Sequence, residues 1–253
     1  MQSSLSDSTR PGPGSIPASS GTAAGDAQSA PWLKAVLWDM DGTLVDTEPC
    51  WIASEHLMVE EFYGHWSEEQ AHTLVGQSLW FSAGVLQDAG VKMEKRAIID
   101  ELTRRVIERI RVELPWRPGA RELLAELRQS GIRCALVTMS EGPLAKEILD
   151  ALPAESFEFM VTGDQVENGK PHPEPYLRAV RQLQETDPTL EVANCIALED
   201  SLPGVTSALA AGLLTIGIPH TVPLPEDSKR VTWHTLAGRN TEDLLALNAT
   251  ARA

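Results

Sequence analysis

Five short apolar runs recur along the chain at strand length: Leu33 to Trp38, Ile132 to Val137, Phe157 to Val161, Asn194 to Leu198 and Leu213 to Ile218. Most carry β-branched residues and lack the three-to-four spacing of a helix, which marks them as strands. Between the later runs lie amphipathic stretches with helix punctuation. "PGARELLAELRQSG" opens on Pro118 and closes on Gly131, "EGPLAKEILDAL" and "HPEPYLRAVRQLQE" follow, and "LPGVTSALAAG" closes on Gly212. Strand and helix in alternation predict an α/β fold, a parallel sheet with helices on both faces.

One interval breaks the alternation. Residues 48–114 hold only helical patterning: "EPCWIASEHLMVEEF", "SEEQAHTLV" with Ser67 and Gln70 spaced as a capping box, "QSLWFSAGVLQDAG" and "MEKRAIIDELTRRVIERIRVEL". The predicted organisation is a flexible tail over 1–31, a core over 32–47 and 115–238, an inserted helical domain over 48–114, and a terminal helix and tail over 239–253. The basic residues of "KRAIIDELTRRVIERIR" alternate with acids and read as a solvated helix face.

Composition narrows the function classes. The chain has 253 residues, 42% of them hydrophobic, enough for one sizeable core with a smaller one beside it. A formal charge of -15 repels phosphate backbones and anionic lipid, so neither nucleic acid nor membrane is an expected partner. Cys50, Cys134 and Cys195 are isolated in sequence, and two fall in apolar runs; a reduced, cytoplasmic setting is expected. The Ser/Gly/Pro/Ala-rich first thirty residues contain no apolar stretch of the secretory kind.

In an open parallel sheet, ligands bind beyond the carboxyl ends of the strands. Those positions hold Asp39 and Asp41 after the first strand, Thr138 after the second, Lys170 in the loop after the third, and Glu199 with Asp200 after the fourth. Singly, each has an ordinary explanation: Asp-Gly is a turn pair, and Glu199-Asp200 with Ser201 could open a helix. Together, four carboxylates in one crevice need compensation, because like charges raise each other's pKa. A hard divalent cation supplies it. Carboxylate and carbonyl oxygens suit Mg2+, and no clustered Cys/His set suggests zinc. A lysine and a hydroxyl beside such a cation are suited to a phosphoryl group.

Asp39-x-Asp41-Gly42-Thr43, Thr138 at a strand end, Lys170-Pro171, and Glu199-Asp200 followed by Gly204-Val205 resemble, in order, the four motifs of the haloacid dehalogenase (HAD) superfamily. "DMDGTLVDTEP" and "GKPHPEPY" look like its β-phosphoglucomutase-like phosphatase branch, over roughly Leu33 to Pro219. The resemblance implies a Rossmann-like core with a small helical cap and a Mg2+-dependent enzyme forming an aspartyl-phosphate. Asp39 would be the nucleophile and Asp41 the general acid and base. Asp39, the Asp41 carbonyl and Asp200 would hold the metal, with Glu199 a ligand or a partner behind it. Gly42, Thr138, Met139 and Lys170 would bind phosphate.

The expected activity is hydrolysis of a small phosphorylated metabolite by a monomer. A sugar phosphomutase has the same core motifs; this chain offers Trp51 and Leu79 where that mutase has a histidine and a cap arginine. A dehalogenase would lack the second aspartate, and a phosphonatase would need a cap lysine. A non-catalytic metabolite-binding regulator is the alternative of another class. Of the other candidates, His172 reads as a helix opener, and Trp66 and Trp80 as packing.

Overall fold

A computed structural model describes residues 32–75 and 77–251, so the predicted N-terminal tail lies outside the described residues. The strands are β1 Ala35–Trp38, β2 Arg133–Val137, β3 Met160–Val161, β4 Cys195–Glu199, β5 Leu214–Gly217 and β6 Val231–Thr232. They form one parallel sheet in the order β3-β2-β1-β4-β5-β6. The helices are α1 Glu48–Glu61, α2 Glu68–His72, α3 Leu79–Asp88, α4 Lys95–Ile110, α5 Ala120–Gln129, α6 Gly142–Asp150, α7 Glu174–Thr186, α8 Leu202–Ala210 and α9 Thr241–Thr250.

The central strands are buried on both faces, and alternate residues feed two cores. Val36, Trp38, Leu136, Leu198 and Ile216 join Leu123 and Leu127 of α5 and Leu144 and Ile148 of α6. Phe157 meets Trp38 edge-on, with ring centroids 6.4 Å apart. Ala35, Ala135 and Ala197 face the other way, where their small side chains leave room for Tyr176 and Leu183 of α7 and Ala208 of α8.

Helices α1 to α4 are the inserted unit, with a core of their own from Met58, Trp66, Leu86, Ile98 and Leu102. The two strands of chain that enter and leave it run side by side: the Asp46 N–H donates to the Pro115 carbonyl at 2.7 Å and that of Arg117 to Leu44 at 3.0 Å. The capping box of α2 forms in both directions, Gln70 N–H to Ser67 Oγ and Ser67 N–H to Gln70 Oε1. On α4 the basic residues pair with acids of the same helix and its neighbours, Arg104 with Glu101 and Glu108, and Arg105 with Glu101 and Glu61.

Two features depart from the sequence reading. The third strand shrinks to two residues, since only Met160 and Val161 find β2 partners. A sixth strand, Val231–Thr232, adds to β5; two residues are too few for a period-two signal.

Candidate active site

Successive strands are laid outward from β1 to β2 to β3, and the chain then crosses back to place β4 on the other side of β1. The carboxyl ends of β1 and β4 therefore flank the switch point, where a crevice opens by topology alone. Asp39 and Asp200 leave these two ends side by side, and the Asp39 N–H is tied to the Leu198 carbonyl at 3.0 Å. One oxygen each of Asp39, Glu199 and Asp200 lies within 4.8 Å of the others. Asp39, Asp41, Gly42, Thr138, Met139, Lys170 and Asp200 all line one cavity. Glu199 does not line it; it sits fully buried behind.

Lys170 is the counter-charge. Its Nζ donates to Asp39 Oδ1 at 2.6 Å and to the Val137 carbonyl at 2.8 Å, and pairs with Glu199 Oε1 at 2.6 Å. The ammonium also lies over the Tyr176 ring at 5.3 Å. The Tyr176 hydroxyl donates to Glu199 Oε1 at 2.6 Å. Burial first, then the Glu199 and Asp39 charges, push the Tyr176 phenol up, so it serves as a neutral donor. Burial works to lower the Lys170 pKa, yet the two carboxylates outweigh it and the net shift is upward.

Asp41 has different surroundings. Its Oδ1 accepts from Thr47 Oγ1, and its Oδ2 from Ser140 Oγ at 2.7 Å and Thr138 Oγ1 at 3.2 Å. The Thr138 hydroxyl in turn accepts the Ser140 N–H at 3.0 Å. Thr47, Ser140 and Tyr176 thus join the site without having been singled out in the sequence. "VTMS" places Ser140 two residues past Thr138, in the bend that follows β2, and "GKPHPEPY" carries Tyr176 into the first turn of α7, just beyond Lys170's loop.

The Gly42 amide is not free for a phosphate. Its N–H donates to the Val45 carbonyl at 2.8 Å, closing the turn after β1. Gly42 instead enters the site through its missing side chain: φ is +88°, and a Cβ there would lie 2.1 Å from Asp200 Oδ2. Met139 lines the cavity, and its Sδ accepts the Lys170 N–H at 3.1 Å. His172 is exposed, and its Nδ1 accepts the N–H of Glu174 at the start of α7, a helix opener as expected.

The acid cluster fits a cation. Burial, then Glu199, push the Asp39 carboxyl up to about 7 against the opposing pull of Lys170. Asp200 is raised as well, by burial and then by Asp39 and Glu199. Asp39 Oδ2 is buried with no hydrogen-bond partner. An orphaned carboxylate oxygen among oxygen donors in a crowded anionic pocket is chemistry for a hard metal ion.

The space around Glu199 is equally constrained. A Cβ on Gly204, inside α8, would come within 1.8 Å of Glu199 Oε2. Glycine to alanine inside a helix ordinarily gains up to about 1 kcal/mol. Gly204→Ala is expected to lose stability instead, by roughly 1–3 kcal/mol as an overpacked core does. A urea melt of this variant checks the sign.

A doubly wound sheet, a helical insertion after β1 and carboxylates from two strand ends at the switch point define the class, an α/β enzyme fold with an acidic, cation-fitting crevice. Residues 36–218 match the family model described as haloacid dehalogenase-like hydrolase, and the chain belongs to that family. It is 34% identical to the phosphorylated carbohydrates phosphatase of Thermotoga maritima, over 75% of this chain and 87% of that protein. It is likewise 34% identical to hexitol phosphatase A of Escherichia coli, over 78% and 87%. Among solved structures it resembles CbbY from Rhodobacter sphaeroides in complex with phosphate, with a TM-score of 0.74 and 25% identity over 84% of this chain and 99% of that one.

Proposed function

We propose that the protein is a Mg2+-dependent phosphatase that hydrolyses a small phosphorylated metabolite, a phosphorylated carbohydrate or polyol, through an aspartyl-phosphate. The observation that carries the reading is the contrast between its two neighbouring aspartates. Asp39 is buried against Lys170 and the acid cluster, whereas three hydroxyls hold Asp41 apart from them.

Asp39, Asp200 and the Asp41 carbonyl would hold Mg2+, with Glu199 behind them, fixed by Lys170 and Tyr176. Bound there, the cation would supply Lewis-acid stabilisation of charge on the transferring phosphoryl oxygens. The Asp39 carboxylate forms the new O–P bond as the P–O bond to the leaving group breaks. Asp41 gives its proton to the departing oxygen. It then takes a proton from water, whose oxygen attacks phosphorus and frees Asp39 and inorganic phosphate. Thr47, Thr138 and Ser140 fix the Asp41 carboxyl in place for both transfers. Thr138 and the Met139 amide border the phosphoryl position, and Lys170 favours the anionic form of Asp39 against burial and orients it.

Residues 48–114 act as the cap, closing the cavity over the ester and meeting its leaving group. Hydrolysis is favoured over phosphomutase chemistry because Trp51 and Leu79 both line the cavity and neither can grip a second phosphate. The free thiols, two of them buried, fit a cytoplasmic setting, and one chain supplies every group named, as a monomeric enzyme requires.

Purified protein is expected to release phosphate from p-nitrophenyl phosphate and from hexitol or hexose monophosphates when Mg2+ is present. Excess chelator should remove the activity and Mg2+ should restore it. Undiminished turnover with the metal stripped would overturn the metal-dependent scheme.

A further inference from the structure

The cavity continues past the acid cluster to a wall built by the inserted helices. Glu48, Trp51, Ile52 and Glu55, at helical spacing on α1, present one face to it. Leu74 and Leu79 complete its apolar part, and Gln77 and Ser82 add neutral polar groups. Glu55 is only 4% exposed, and its Oε2 is buried without a hydrogen-bond partner. Glu48, half-buried, also has an unpartnered Oε1, although its carboxyl hydrogen-bonds with Thr221 and feels His220. Among the described residues lining the cavity the one cation is Lys170, and its ammonium is engaged by Asp39, Glu199 and Val137.

A buried acceptor aimed into a binding space is costly unless the ligand completes it. Two carboxylates opposite the phosphoryl end repel any second anionic group there, and nothing on that wall neutralises one. Hydroxyl groups suit it, since they can both donate and accept. Burial, and then the Glu48 charge, push the Glu55 carboxyl up to about 7, so near neutrality it can accept from a hydroxyl or donate to one.

We propose that Glu55, with Glu48 beside it, is a specificity determinant that selects uncharged, polyhydroxylated leaving groups bearing a single phosphate and rejects sugars carrying a second phosphate or a carboxylate. The inference rests on the phosphatase reading and adds the restriction to a single anionic group and the residue that imposes it. The apolar partners Trp51 and Ile52 pack the carbon skeleton while the carboxylate reads its hydroxyls.

The test compares kcat/KM with Mg2+ for mono- and bisphosphates of the same sugars, such as fructose 6-phosphate and fructose 1,6-bisphosphate, with p-nitrophenyl phosphate as a reference ester. The wild type is expected to prefer the monophosphate by about a hundredfold or more. Glu55→Gln, nearly isosteric, should shrink that ratio by about tenfold, because the amide no longer repels an anion. A bisphosphate turned over as well as its monophosphate, or a ratio unmoved in Glu55→Gln, would each overturn the inference while leaving the phosphatase reading standing; turnover of p-nitrophenyl phosphate with no polyol phosphate accepted would overturn the inference and the carbohydrate class, leaving only metal-dependent ester hydrolysis. No phosphate released from any ester would overturn both. The wild-type ratio stands as a test of its own should the variant fail to fold.

Discussion

Asp39→Asn is expected to lower kcat by about 10⁴-fold or more, the scale seen when a nucleophile is removed from a covalent mechanism. It should leave the metal-free protein as stable as before or more stable. The amide keeps the size of the carboxyl but has no anionic oxygen for phosphorus. On stability, the sign follows from the raised pKa. Asp39 sits at about 7 in the folded protein against 3.8 for an ordinary aspartate, so between those values the folded state holds the extra proton. Stability contributed at this site therefore falls as pH rises from about 4 to about 7, and ionised Asp39 is a penalty at neutral pH without metal. Asparagine removes the penalty, and Lys170 keeps its Glu199 partner. Thermal melts in chelator should show wild type and variant converging as pH is lowered towards 4, with the variant ahead at pH 7. Robust turnover by the variant would remove Asp39 from the nucleophile's role.

The same crowding explains what sequence could and could not reveal. Every strand that carries a site residue was legible because those strands are buried on both faces and so read as uninterrupted apolar runs. The residues immediately past them then had to be the crevice. The helical insertion was legible from its length and its caps, Ser67 with Gln70 above all. What escaped notice acts through ordinary residue types brought in by the third dimension. Thr47 belongs to the exit from the core, Ser140 to a loop, and Tyr176 to the buried face of α7, where a tyrosine reads as packing until its hydroxyl is found 2.6 Å from Glu199. Gly42 shows the converse. Its presence in the motif was plain, but only backbone geometry reveals that its N–H closes a turn and that its missing Cβ makes room for Asp200. Glu55 had no local signal at all; on a helix full of acids, only burial and an unpartnered oxygen distinguish it.

Lys170→Met is expected to damage stability and catalysis together, which separates it from Asp39→Asn. The methionine occupies much of the same buried space but removes three polar contacts and the charge that opposes Asp39 and Glu199. Breaking a buried ion pair from one side costs roughly 3–5 kcal/mol because the surviving charges stay desolvated. Here two carboxylates would be left facing each other with Asp200 adjacent. The lysine's folded pKa is raised above its ordinary 10.5, so its stabilising contribution is fully present at neutral pH and is lost only as the solution becomes strongly alkaline. The variant's deficit should thus be large at pH 8 and shrink towards pH 5, as protons replace the missing ammonium on the carboxylates. Urea unfolding of wild type and Lys170→Met in chelator at those two pH values measures it. A deficit of the same size at both would mean that the lysine stabilises the site by packing its alkyl chain, since a methionine's loss would not depend on carboxylate protonation. Mg2+ should recover part of the stability at pH 8, because a cation held by Asp39 and Asp200 would relieve the same repulsion, but not the activity, because Asp39 would still lack the contact that orients its carboxylate.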